Sequence, residues 1–219
     1  MIGSWLHAYG TDLAALLFNV AAFSAYRAMQ RRRARRDPGA TLQSQQAATR
    51  AEWVAEVLRS GNGILGVQTL RNAIMASLFF ASNTMFLVMG VLSLTGQQHL
   101  GEAWALLDPS SNRSAPLVQA KLLLLLLTLL FAFFCFISAL RLFSHASVSL
   151  GSKAATPAFV TAQVDTAWHY QGLGVRCYYF AAPVLFWLFG ALAFVLAGLG
   201  AIAVMNVFDR VPRGSRSGS

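Results

Sequence analysis

The stretch LLLLLLTLLFAFFCFISAL, Leu122 to Leu140, decides the class of this protein. It holds 19 residues in which Thr128, Cys135 and Ser138 are the only polar interruptions. A bilayer core about 30 Å thick takes about 20 apolar residues to cross as a helix. A helix is also the simplest way to satisfy every backbone N–H and C=O within lipid. Three further apolar runs lie outward from this one. Ala73 to Leu94 is long enough to span but carries Ser77, Ser82, Asn83, Thr84 and Ser93. Tyr178 to Phe208 exceeds one perpendicular crossing, which predicts tilt or an emergent end. Leu13 to Tyr26 reaches span length only with Trp5, Leu6 and Tyr9 as an interfacial collar.

Composition agrees with these runs. Only 11% of the 219 residues are charged, 56% are hydrophobic, and mean hydropathy is +0.54. A soluble domain carries about 25% charged residues, and disorder needs low hydrophobicity; both are excluded. The predicted fold is all-α: a polytopic membrane protein of four transmembrane helices with cytoplasmic amphipathic helices. It forms one domain over 1–208, with spans at about 9–28, 68–95, 118–141 and 178–206 and an interfacial helix at about 42–60. The tail 211–219 reads as an expression-tag remnant.

Basic residues set the expected orientation. Nothing basic precedes the first run, so it reads as a retained helix with a translocated N-terminus, not as a cleaved signal. The stretch 27–59 carries Arg27, Arg31, Arg32, Arg33, Arg35, Arg36, Arg50 and Arg59, and the loop 141–177 carries Arg141, Lys153 and Arg176. The intervening loop offers only Arg113, with Lys121 opening the next span. Lys and Arg collect on the cytoplasmic side. With four spans, both termini are expected outside, in a bacterial inner membrane.

The segments between spans carry little chemistry. Arg31, Arg32, Arg33, Arg35 and Arg36, closed by Asp37-Pro38-Gly39, read as contacts to anionic lipid headgroups, each contributing roughly 1 kcal/mol. No aromatic or folded reader accompanies them, so nucleic-acid binding is not expected. In the helix over 42–60, Trp53, Val54, Val57 and Leu58 share one face, which suits the cytoplasmic membrane surface or a neighbouring subunit. The outer loop 97–116 holds the turn formers Asp108-Pro109. A short helix is predicted around Thr156 to Tyr170, with Pro157 in its first turn. Cys135 and Cys177 are not expected to pair in a reducing compartment. No metal-ligand spacing appears, and no intramembrane His pair for a haem; no cofactor is expected.

The second span is the informative one. At 100° per residue, Gln68, Arg71, Asn72, Ser82, Asn83, Gly90 and Ser93 fall within about ±60° of one direction, with Ser77 and Thr84 opposite. Polar groups facing lipid are costly. The stripe is either a hydrogen-bonded packing seam or the wall of a hydrated path. In the third span Cys135, Ser138, Arg141 and His145 share a side, where Arg141 either snorkels or faces the stripe. In the first, Asp12, Asn19 and Tyr26 recur every seven residues, with Asp12 at the outer interface. In the fourth, Ala193, Ala197 and Ala201 make a close-packing face. No carboxylate lies mid-span, which disfavours a proton-coupled carrier and a carboxylate-ring cation filter. Arg71, Arg141 and Arg176 favour anions.

Several segments together resemble one family: Arg50-Ala51-Glu52-Trp53; Val67-Gln68-Thr69-Leu70-Arg71-Asn72-Ala73-Ile74-Met75-Ala76-Ser77 followed by Ala81-Ser82; Ser138-Ala139-Leu140-Arg141 with His145; and Tyr179-Phe180-Ala181-Ala182-Pro183. They are similar to the domain of unknown function 599 family of multi-span membrane proteins, over roughly residues 10–208. The resemblance implies architecture, brings no catalytic role, and singles out Gln68, Arg71 and Asn72. The expected function is a homo-oligomeric channel or passive transporter for small ions, anions slightly favoured, lined by Gln68, Arg71, Asn72, Ser82, Asn83 and Arg141. The alternative is a non-transporting membrane scaffold whose stripe is a packing seam. An enzyme is not expected, because no nucleophile–base pair or metal motif is present.

Overall fold

The computed structural model describes residues 2–36, 42–95, 115–152 and 154–208. The outer loop, the Asp37-Pro38-Gly39 turn and the tail 211–219 lie outside the described residues. So do the side chains of Trp5, Leu6, Tyr9, Arg33, Arg35 and Arg36.

Among the described residues every regular element is a helix, with no strand. The helices are α1 (Ile2–Arg36), α2 (Leu42–Ser60), α3 (Gly63–Thr95), α4 (Ala115–Leu150), α5 (Pro157–Phe186) and α6 (Ala191–Phe208), with a single 3₁₀ turn, Trp187–Phe189, between the last two. Pro157 opens α5, where the missing N–H costs nothing. Three helical segments are long and apolar enough to cross a membrane: Gly63–Thr95, Pro116–Leu150 and Pro157–Phe189. The expected first span lies inside the longer, less apolar α1.

The run predicted as one span over 178–206 is two helices. Pro183 removes a backbone donor near the end of α5, and Gly190 adopts φ 131° and ψ 167°, a region open essentially only to glycine. The chain reverses there. Tyr179 of α5 and Val204 of α6 line one groove, whereas in a continuous helix they would stand about 37 Å apart. Tight contact along α1 repeats the message: Asp12 meets Trp187, Asn19 meets Phe194, and Phe23 meets Phe180. Phe208 therefore returns toward the end of the bundle that carries Arg27, opposite the end that carries Asp12.

The bundle is longer than a bilayer is thick. The 36 residues of α4 extend about 54 Å, roughly 24 Å more than the hydrocarbon. The excess at the basic end builds a head. There Val54 and Val57 of α2 pack with Leu70 and Ala73 of α3, Phe143 and Leu150 of α4, and Val160 and Val164 of α5. The apolar face of α2 is thus covered by its own chain rather than laid on the membrane surface. Arg50 Nη2 reaches Asp165 Oδ1 at 2.8 Å and fixes α2 against α5. At the opposite end a second core joins Ala15, Val88, Leu125, Val184 and Phe194.

Gly190→Ala should lower the stability of the detergent-solubilised protein by about 1–3 kcal/mol, because alanine must adopt a strained backbone to keep the reversal. A thermal midpoint equal to wild type would show that the turn does not need glycine.

Candidate functional site

Asp12, Asn19 and Tyr26 lie two helical turns apart in succession and therefore share one face of α1. All three are buried. Asp12 Oδ1 accepts from Lys121 Nζ at 2.7 Å and from Trp187 Nε1 at 2.5 Å. Lys121 Nζ also donates to Trp187 O at 3.3 Å and lies 4.9 Å from the centroid of the Trp187 ring. That ring stacks on Phe194 at 4.7 Å. The Asp12 and Lys121 side chains are only 10% and 8% exposed. A lone charge withdrawn from water costs several kcal/mol, and an opposite charge with further hydrogen bonds offsets that cost. The result is a clamp joining α1, the start of α4 and the turn that ends α5.

Seven residues along α1, Asn19 Nδ2 donates to Ala15 O at 3.2 Å and to Phe194 O at 3.4 Å. Asn19 Oδ1 has no partner among the described residues. A methyl group on Gly198 would overlap that oxygen, so the glycine lets α6 close on α1. The small residues of α6 thus serve two contacts. Gly198 meets α1, while Ala193, Ala197 and Ala201 line the groove toward α5.

A second buried polar contact joins α3 to α5. Phe80 O accepts from Thr84 Oγ1 at 2.6 Å and from Tyr178 Oη at 3.0 Å, and the two hydroxyls lie 2.5 Å apart. Phe136 stacks on Phe80 beside them. Ser77 Oγ and Gln171 Oε1, one heptad earlier on each helix, are buried without a partner among the described residues.

The predicted stripe on α3 lies elsewhere. The packed face of α3 is Gly66, Leu70, Ala73, Ser77, Ala81, Thr84, Val88 and Val91. At 100° per residue this is the side directly opposite Gln68. Gln68, Arg71, Asn72 and Ser82 are exposed and Asn83 is half-buried. Apart from the half-buried Asn83, these stripe residues are left uncovered by their own chain. It is also not continuous: Met75, Phe79 and Phe86 lie within about 20° of its centre, and the two phenylalanines are 65% and 76% exposed. Gln68, Arg71 and Asn72 alternate with the head residues Leu70 and Ala73, so they stand at the basic boundary. Ser82 and Asn83 stand alone at mid-span. Arg141 and His145 are exposed on α4, but Cys135, expected beside them, is buried. Arg31 and Arg32 are exposed at the end of α1.

Sequence reasoning reached Asp12 and Lys121 separately and did not pair them. The available signal was one acid in the first run and one lysine opening the third, both assigned to the same side of the membrane.

The family model described as a protein of unknown function, DUF599, matches residues 14–213. The chain belongs to that family. The DUF599 match takes in Lys121, Trp187 and every predicted stripe residue, and Asp12 stands just before it. No curated protein and no solved structure matches the chain.

Removing one partner from a buried ion pair leaves the other uncompensated, at about 3–5 kcal/mol. Lys121→Met and Asp12→Asn should each destabilise by that order in thermal denaturation. The double variant should cost clearly less than the two single losses added together. Additive losses would show that the two side chains do not act as a pair.

Proposed function

We propose that the protein is a homo-oligomeric integral membrane protein whose copies meet along the outward face of α3. The observation that carries this reading is Asn83, a mid-span amide on the flank of α3 that its own bundle covers only in part. An interhelical hydrogen bond to such a group contributes about 1–2 kcal/mol in model helices. Facing acyl chains it has no partner; facing a second copy it does. Phe79 and Phe86, one turn to either side, supply apolar contact area around it. In this reading the basic end faces the cytoplasm, with the Asp12 end outside. The reversal at Gly190 then makes five passes instead of four, so α6 ends inside. No catalytic role belongs to this reading.

A passive path for small ions, anions slightly favoured, is the second reading. The exposure of Arg71 and Arg141 favours it, because symmetric copies would repeat these guanidinium groups at one level of an assembly, and rings of Arg select anions. Met75, Phe79 and Phe86 oppose it, because an aqueous path lined by them would tend to dewet. A non-transporting scaffold needs only the assembly.

Asn83→Leu should weaken self-association by roughly 5–30-fold per contact, the equivalent of about 1–2 kcal/mol, measured by native mass spectrometry or single-molecule photobleaching. An oligomer of unchanged strength, or a wild-type monomer, overturns the assembly. Chloride flux in liposomes, altered by Arg71→Gln at constant assembly, selects the path. Flux no greater than that of empty vesicles selects the scaffold.

A further inference from the structure

Ser24, Arg27 and Arg31 recur at intervals of three and four along α1, which places them on one side of the helix. That side lies roughly 110° around the helix from the line of the buried Asp12, Asn19 and Tyr26, and Ser24, Arg27 and Arg31 are all exposed. With Arg32 beside them, they line a shallow cavity of about 360 Å³. Arg27 and Arg31 lie about 22 Å and 28 Å along the helix from Asp12, against a hydrocarbon thickness of about 30 Å. With the clamp at one membrane boundary, the cavity straddles the level at which acyl chains give way to headgroups on the other.

Charge and shape then point to one class of ligand. Among the described residues, Asp12 is engaged by Lys121, Asp165 by Arg50 and Glu56 by Arg59, Glu52 is exposed on α2, and no ion pair joins any of these carboxylates to Arg27, Arg31 or Arg32. A guanidinium at this depth needs an oxyanion or a route to water. Toward the bilayer centre, the same side of α1 continues as exposed Leu17 and Val20. A headgroup cradle that runs directly into an apolar track suits an amphiphile.

We propose that this side of α1 binds one anionic glycerophospholipid per subunit, with the phosphate held by Arg27, Arg31, Arg32 and Ser24 and an acyl chain lying along Leu17 and Val20. Arginine presents paired donors that match phosphate oxygens. This inference rests on the membrane reading and not on the assembly through α3.

The test is native mass spectrometry of the full chain, purified in mild detergent and supplied with phosphatidylglycerol and phosphatidylcholine in equal amounts. The expected result is one retained phosphatidylglycerol per subunit in preference to phosphatidylcholine. Arg27→Gln with Arg31→Gln should reduce retention about thirtyfold, roughly fivefold for each charge. Arg59→Gln, an exposed arginine on α2, and Asn83→Leu should leave retention unchanged. Arg27→Lys with Arg31→Lys keeps the charge and should give intermediate retention. Leu17→Ser should weaken the lipid without affecting inorganic phosphate. Equal retention by the double Gln variant, or an equal loss with Arg59→Gln, overturns the site. Arginine-dependent binding of inorganic phosphate, with lipid retention indifferent to Leu17→Ser, overturns its assignment to a lipid.

Discussion

Two opposite charges buried at one end of the bundle constrain how the chain can close. Asp12 and Lys121 come from α1 and α4, and neither is tolerable in that environment without the other. Trp187 completes the arrangement: its indole N–H donates to the Asp12 carboxylate and its carbonyl accepts from the Lys121 ammonium. It does so at the residue where α5 stops. The turn that follows is therefore held from two sides just before Gly190 takes up its glycine-only conformation. With Trp187 fixed and Gly190 reversing the chain, α6 is directed back along α1, where Asn19 and Gly198 fit against each other. Charge pairing at one end thereby determines how two helices pack over their whole length.

Helix α3 shows how one helix can carry polar residues for opposite reasons. Its inward polar residue Thr84 lies in a contact with Tyr178 and the Phe80 carbonyl, a satisfied group inside the protein. Ser82 is exposed and Asn83 half-buried, both away from that contact. On the outward face, Met75, Phe79 and Phe86 interrupt what reads in projection as one polar stripe. A helical wheel collapses the axial coordinate, so residues about eleven positions apart, such as Arg71 and Ser82, appear adjacent. Restoring that coordinate separates a boundary group, Gln68, Arg71 and Asn72, from a mid-span group of two. Lipid penalises chiefly the second.

Much of the architecture was legible because hydrophobic length is a nearly local property. Leu122 to Leu140 identifies its helix without reference to any other residue, and the heptad recurrence of Asp12, Asn19 and Tyr26 gives a common face, which the structure shows to be buried, Asp12 included. The reversal inside 178–206 was not legible in the same way. Pro183 and Gly190 are both tolerated in membrane helices when neighbours satisfy the freed groups, so their presence does not by itself predict a turn. What decides it is the partner of Trp187, and that partner lies 175 positions away. The same holds for α2. Its amphipathic pattern is compatible with a membrane surface and with a protein surface, and only the excess length of α4 and α5 provides the latter.

That excess has a consequence for how the basic end meets lipid. Val54 and Val57, the centre of the apolar face of α2, are 0% and 4% exposed within the head. They are not available to insert beneath headgroups, and burying them there is worth roughly 1.5–3 kcal/mol for each side chain, stability that lifting α2 onto a membrane would forfeit. An interfacial helix needs a free apolar face as well as charge. On α2 the charge remains and the face is taken. On α1 both remain, since Leu17 and Val20 adjoin Ser24, Arg27 and Arg31 on the side left uncovered by α6. Docking α2 into the head therefore leaves α1, not the helix whose pattern advertises a membrane surface, as the one at this end with a free apolar face beside its charges, which is the arrangement the proposed lipid site requires.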